Sequence, residues 1–205
     1  MARRPAPMTP THTPDTANPG PATALYRDAA AVDAAISNMA QALDTLLSAR
    51  GARPPLMIGI HTGGVWVAER LHRLLALAEP LGYLDISFYR DDFTRIGMHP
   101  RVRPSHLPVA VDDRHIVLVD DVIQSGRTIR AALNVLFDYG RPASVMLAVL
   151  AERSGRELPI EPNVVGLHAD LAHGEHLKLA GPEPLSLYRG SPPAGRASGA
   201  EGAGP

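Results

Sequence analysis

Residues 115–133 read HIVLVDDVIQSGRTIRAAL. Ile116, Val117, Leu118 and Val119 make the short apolar run of a buried strand, and the run ends in two adjacent aspartates, Asp120 and Asp121. A small polar turn follows, Gln124-Ser125-Gly126-Arg127-Thr128, and residues 128–139 then carry apolar positions at helical spacing until Gly140 and Pro142 stop them. The first N–H groups of such a helix have no intrahelical partner and the helix dipole adds partial positive charge, so the turn suits an anion. Ser125 and Thr128 add hydroxyl donors, and Gly126 lets the main chain approach closely. Carboxylates do not bind phosphate, but they accept hydrogen bonds from paired sugar hydroxyls or hold a metal. Strand, aspartates and turn together therefore point to a sugar phosphate.

Other readings of the same stretch stay open on these residues alone. Ser125 could simply cap the helix above two solvated aspartates, or the acidic pair could belong to a receiver-type signalling domain that takes a phosphoryl group. The surrounding chain narrows the choice. Residues 26–50 place Val32, Ile36, Met39, Leu43 and Leu46 at three- and four-residue steps, with Gly51 beyond them, which predicts an amphipathic helix. Residues 56–60 form a second apolar run, followed by Thr62, Gly63 and Gly64 and by helical spacing through Val65, Ala68, Leu71 and Leu75. Residues 84–88 alternate with period two, as a strand with one polar side does, and residues 143–150 form another apolar strand. Repeated strand-helix units predict a parallel-sheet core with helices on both faces, with ligands bound at the carboxyl ends of the strands. Asp120 and Asp121 fall at one such end, Thr62 and Gly63 at another.

Length and composition bound the answer. A chain of 205 residues with 45% hydrophobic and 20% charged residues fits one globular domain. Residues 1–22 and 189–205 are rich in Pro, Ala, Gly, Ser and Thr without hydrophobic period, so they are expected to be disordered tails around a domain at 23–188. Cysteine is absent, which excludes disulfides, a thiolate nucleophile and cysteine-ligated metal. No run reaches the length of a membrane span, and the basic start has no apolar segment after it, so a soluble cytoplasmic protein is expected. A net charge of -1 and only 4% aromatic residues provide neither a global positive field for nucleic acid nor a stacking platform, although a local basic face is compatible with both.

The ordered combination Val-Leu-Val-Asp-Asp-Val-x-x-Ser-Gly-Arg-Thr at 117–128 resembles the phosphoribosyl diphosphate (PRPP) signature of the type I phosphoribosyltransferases. Residues 84–86 and 88–92, Gly140-Arg141-Pro142, residues 147–150 and Arg156-Glu157-Leu158-Pro159 narrow the resemblance to the PyrR family, the bifunctional pyrimidine-operon regulators and uracil phosphoribosyltransferases. It covers nearly everything between the tails. The resemblance implies an α/β fold, a single type I phosphoribosyltransferase domain with a mobile flap. It also implies a glycosyltransferase reaction of the pentosyl class, in which uracil attacks the anomeric carbon of magnesium-bound PRPP to give UMP and pyrophosphate.

By the same resemblance Asp120 and Asp121 hold the ribose hydroxyls and act catalytically by favouring positive charge on the ribose. Val122, Ile123, Gln124, Ser125, Gly126, Arg127 and Thr128 surround the 5′-phosphate, and Thr62 and Gly63 form the pyrophosphate loop. Arg103, with Arg101 nearby, lies in the Pro-rich stretch 90–113 that matches the family's flap, and Arg153 lies near the uracil pocket. Magnesium is expected to arrive with PRPP, and no protein metal site is expected. A homo-oligomer is implied, and so is a role in pyrimidine-gene regulation through operon leader RNA. The alternative reading is a UMP- or PRPP-sensing RNA-binding attenuator with little catalysis.

Three positions depart from the family pattern. Gly63 replaces the arginine of a common Thr-Arg-Gly, Gln124 stands where tyrosine is typical, and Glu152-Arg153-Ser154 replaces Asp-Arg-Gly. Taken without the resemblance, Thr62-Gly63 is an ordinary glycine turn and Arg101 and Arg103 a solvated basic loop. Trp66 reads as a core or subunit contact. His173 and His176 have the spacing of a helical ligand pair but no third ligand, and no hydrolase or P-loop motif is present.

Overall fold

The computed structural model describes residues 23–86, 105–172 and 174–191. The segment 87–104, with Arg101, Arg103, residues 88–92 and the expected flap up to residue 104, lies outside the described residues, as do His173 and residues 1–22 and 192–205.

Five strands build one parallel sheet: β2 (Leu56–Ile60), β3 (Gly82–Leu84), β4 (His115–Ile123), β5 (Ser144–Arg153) and β6 (Val164–Ala169), in the spatial order β3-β2-β4-β5-β6. Among the described residues three helices flank it: α1 (Ala29–Ala49), α2 (Gly63–Leu74) and α3 (Arg127–Asp138). Period-two alternation along β4 divides the core. Val117 and Val119 pack with α1 and α2 through Ile36, Met39, Leu43, Val67 and Leu71, whereas Ile116 and Leu118 pack with α3 through Ile129, Ala132 and Leu136. The helices thus cover both faces, and β2 and β4, with neighbours on both edges, are buried along nearly their whole apolar length. Each fully buried aliphatic side chain there contributes about 2 kcal/mol from burial.

The apolar stripe of α1 is as expected, but its start is not. Tyr26 belongs to a strand, β1 (Thr23–Arg27), and the helix begins after Asp28, whose Oδ1 accepts the Ala31 N–H at 2.9 Å. A carboxylate at that position satisfies one orphan donor of the first turn and so fixes the boundary. The strand expected at 84–88 is centred earlier, with Ile58, Gly59 and Ile60 paired to Gly82, Tyr83 and Leu84. His106 then bridges back to Tyr83, both backbone bonds measuring 2.8 Å.

The larger difference is a second sheet. β1 pairs antiparallel with β8 (Ser186–Gly190), which pairs antiparallel with β7 (His176–Ala180). The described strand runs through Arg189 and Gly190, two residues past the boundary expected at 188. Leu179, Leu185 and Leu187 fix this small sheet to the core on the side of α1 and α2. Among the described residues no helix is long and apolar enough to cross a membrane.

Candidate active site

β2 leads through α2 to β3 on one side of it, and β4 leads through α3 to β5 on the other, so the connections diverge between β2 and β4. A sheet of this kind opens a crevice at that divergence, above the carboxyl ends of the strands. The cleft found there has a volume of about 550 Å³.

From β2 comes the turn at His61, Thr62 and Gly63. The His61 N–H is held by the Leu84 carbonyl at 2.9 Å, and the following peptide bond is cis. Thr62 makes no side-chain cap bond and the first turn of α2 carries no acidic residue, which leaves its positive end facing the cleft. That end sits very close to β4: a Cβ at Gly64 would lie 2.6 Å from the Val119 carbonyl oxygen, and one at Gly63 would lie 2.2 Å from Asp121 Oδ2. At Gly64 the atoms met are backbone of β4, so only glycine permits that approach, whereas at Gly63 they belong to a side chain. At Gly63 the space that a side chain would take is filled by the Asp121 carboxylate.

β4 itself continues four residues beyond Val119, where its apolar run stops. Asp120, Val122 and Ile123 remain paired with Val149, Ala151 and Glu152 of β5, so both aspartates belong to the strand and not to the turn. Asp120 is buried, 4% exposed, and its Oδ1 accepts the Asp121 N–H at 3.0 Å. A buried carboxylate needs such donors to stay ionised. Gly126, in the left-handed region at φ 89°, is the N-cap of α3 and has no side chain with which to satisfy the first-turn donors. The Arg127 N–H reaches Ser125 Oγ at 3.3 Å, while the Ser125 carbonyl accepts the Glu157 and Leu158 N–H groups at 3.0 Å each. The loop after β5 thus clamps the turn from behind. Arg127 Nε also meets Glu157 Oε2 at 2.7 Å, an exposed pair worth about 0.5 kcal/mol.

Thr62, Gly63, Asp120, Asp121, the run 122–128 and Arg153 all line this one cleft. Of the expected site residues only Arg103 is not placed, lying outside the described residues. Arg153 is shared with a smaller depression of about 390 Å³ bounded by residues 152–156, Glu161 and residues 168–170. Its Nε is buried without a hydrogen-bond partner, as is that of Arg156. Two of the departures from the family pattern meet here. The Gln124 carbonyl accepts Arg156 Nη1, Arg156 pairs with Glu152, Glu152 Oε2 lies 3.2 Å from His168 Nδ1, and a Cβ at Gly155 would lie 3.2 Å from Gln124 Nε2.

The cleft also contains residues that were not expected at the site: His61, Glu157, His176 and Lys178, together with one side of Trp66, which is otherwise core at 3% exposure. His61 stacks on Tyr83 with ring centroids 5.9 Å apart. Burial, and then the charge of Glu69, raise the Tyr83 hydroxyl above its ordinary pKa, so it is a neutral phenol at physiological pH. Among the described residues no group of three or more His, Cys, Asp or Glu is arranged to hold a metal ion.

Comparison with known proteins agrees with this geometry. The phosphoribosyl transferase domain family matches residues 21–175. A protein of Nitrosococcus oceani named bifunctional protein PyrR is 62% identical over 158 residues, covering 76% of this chain and 89% of that protein. The protein of the same name from Pseudomonas aeruginosa strain LESB58 is 60% identical over 154 residues, covering 75% and 91%. Among solved structures, the hypoxanthine phosphoribosyl transferase of Trypanosoma cruzi superposes with a TM-score of 0.59 at 19% identity, over 74% of this chain and 80% of that one. That likeness concerns the fold.

Proposed function

Because the chain belongs to the phosphoribosyl transferase domain family, and within it to the bifunctional PyrR proteins, we propose that it is a uracil phosphoribosyltransferase that also regulates pyrimidine genes. The observation that carries the reading is one cleft in which two carboxylates at the end of β4 stand between two helix N-termini, those of α2 and α3.

PRPP presents a ribose with two hydroxyls, a 5′-phosphate and a pyrophosphate. Asp120 and Asp121 accept hydrogen bonds from the hydroxyls, and the turn at 125–128 takes the 5′-phosphate through backbone N–H groups and the Ser125 and Thr128 hydroxyls. The turn at Thr62 and Gly63 takes the pyrophosphate. Uracil N1 bonds to the anomeric carbon as the bond from that carbon to pyrophosphate breaks, and the N1 proton is lost to water. Positive charge then develops on the ribose directly over two carboxylates already in position, which lowers the barrier without reorganisation. Val122 and Ile123 supply the strand end between the aspartates and the turn, and Gln124 closes the turn against Gly155. Arg103 is carried into the proposal as a further PRPP-binding residue.

The donor set suits magnesium delivered with PRPP. Asp120 and Asp121 would hold such an ion through its waters and the substrate phosphates, since magnesium takes oxygen ligands and keeps several waters. Bound in this way, the ion would neutralise the leaving pyrophosphate.

Uracil fits the junction of cleft and depression, where the buried Arg153 Nε would find an acceptor in a base carbonyl. Arg153→Ala is expected to raise the KM for uracil by about tenfold, the equivalent of one lost hydrogen bond to a charged donor, while leaving the KM for PRPP within about twofold. Steady-state kinetics with each substrate varied in turn checks this. An activity screen of uracil, orotate, hypoxanthine and xanthine with PRPP and magnesium tests the reaction itself. Uracil is expected to be the base turned over, and a preference for any other would overturn the assignment.

The printed name of the relatives, bifunctional, supports the second activity, with UMP or PRPP as signal and operon leader RNA as partner. RNA affinity of this kind falls steeply with salt, and leader RNA bound no tighter than scrambled RNA would reject it. A cytoplasmic homo-oligomer completes the proposal.

A further inference from the structure

We propose that Lys178 supplies the positive charge for the pyrophosphate end of the cleft, which the turn at Gly63 lacks. This inference rests on the phosphoribosyltransferase reading and adds a substrate-binding residue to it.

Lys178 is the one lysine in a chain whose Lys and Arg total 20, and it lines the cleft together with Gly63 and Asp121. It lies on β7, an edge strand of the small antiparallel sheet. Leu177 and Leu179 pack against the core cluster, and Lys178 between them lines the cleft. The side chain is half-buried.

Its place along the cleft follows from what β7 rests on. Leu179 belongs to the same core cluster as Trp66 in the first turns of α2, and a Cβ at Gly181, just past the strand, would lie 2.8 Å from Trp66 Cε3. β7 therefore stands over the N-terminus of α2, where Gly63 and Gly64 present the positive end of the helix. An ion pair holds it there: Arg70 of α2, only 17% exposed, reaches Glu183 in the β7–β8 connection at 2.8 Å and also pairs with Asp33 of α1. The arginines that line the cleft among the described residues belong to other ends. Arg127 begins α3 at the 5′-phosphate turn, and Arg153 borders the base depression.

Pyrophosphate carries more charge than any other part of the substrate. Backbone N–H groups and a helix dipole orient it, but an ammonium in a half-buried wall adds a charge-assisted hydrogen bond. Position 63 itself carries no cation, and among the described residues β7 brings one to the cleft that Gly63 lines.

The test compares Lys178→Met, which removes the charge and keeps the length, with Lys178→Arg, both in the full chain. Calorimetry measures binding of magnesium-PRPP, magnesium-pyrophosphate and UMP, and kinetics measures KM for each substrate. Lys178→Met is expected to weaken PRPP and pyrophosphate by about tenfold or more and to raise the KM for PRPP. UMP affinity and the KM for uracil should change by less than about twofold, and Lys178→Arg should recover most of the loss. Unchanged PRPP and pyrophosphate binding in Lys178→Met would overturn the inference while leaving the enzyme reading intact. Equal weakening of UMP would also overturn it, by making Lys178 a structural residue. A wild-type chain that binds neither PRPP nor pyrophosphate would overturn the underlying reading as well.

Discussion

Asp120→Asn combined with Asp121→Asn is expected to lower kcat for UMP formation by about a thousandfold or more while the protein stays folded. Asparagine keeps the shape of each side chain and the acceptor that the Asp121 N–H uses at 3.0 Å. What it removes is negative charge beneath the ribose at the moment positive charge develops there. One preorganised electrostatic partner is typically worth about 10²–10³ in rate, and two in contact act as a unit, so the pair loses less than the product of the singles. The fold should hold, because asparagine keeps the side-chain volume and the acceptor for the Asp121 N–H. A labelled-uracil assay beside a thermal melt reads both quantities. A double variant that melts normally and retains activity within about tenfold of wild type would mean the carboxylates do not act on the ribose.

Gly64→Ala should produce the largest loss of stability of any single methyl added near the site. Its Cβ would meet the Val119 carbonyl oxygen at 2.6 Å and Asp120 Cα at 2.9 Å. Both are backbone atoms of a central strand, so relief requires α2 to move off the sheet, with Val67, Ala68 and Leu71 losing their packing in the core beneath it. A cost of about 3 kcal/mol is expected from such overpacking, which lowers Tm by roughly 6–12 °C for a chain of this size. Gly63→Ala is the contrast. There the methyl meets the Asp121 carboxylate, the free end of a side chain, which can swing away. Activity should fall in Gly63→Ala with Tm nearly unchanged, whereas in Gly64→Ala both should fall. Equal melting temperatures for the two variants would contradict the close packing of α2 on β4.

The parallel sheet was legible because each of its long strands is a run of apolar residues, at 56–60, 116–119 and 143–150, and because turn glycines follow two of them. The clustering of Thr62, Gly63 and 120–128 then followed from fold topology, since strand ends of a parallel sheet gather on one edge. The end of β4 was not legible. Two charges look like the end of a buried strand, but Asp120 through Ile123 keep their ladder with β5 because the polar groups face a cleft and not the core. The small sheet was hidden for a different reason. β1 and β8 join Thr23 to Gly190, a pairing that no local window contains, and the strands are five residues each with mixed polarity.

Lys178 was missed with that sheet, although its singularity among nineteen arginines was available as a signal. The departures at Gln124 and Glu152 also change meaning in three dimensions. As separate substitutions they look like erosion of a family pattern. In the structure Arg156 joins them, bonding the Gln124 carbonyl and the Glu152 carboxylate, so they form one local arrangement behind the 5′-phosphate turn.

The most direct measurement is a crystal structure of the protein with UMP. The 5′-phosphate is expected within hydrogen-bond distance of the N–H groups at 125–128, the ribose hydroxyls on Asp120 and Asp121, and the uracil ring beside Arg153. A phosphate bound away from the N-terminus of α3, or a ribose that leaves both aspartates uncontacted, would contradict the account.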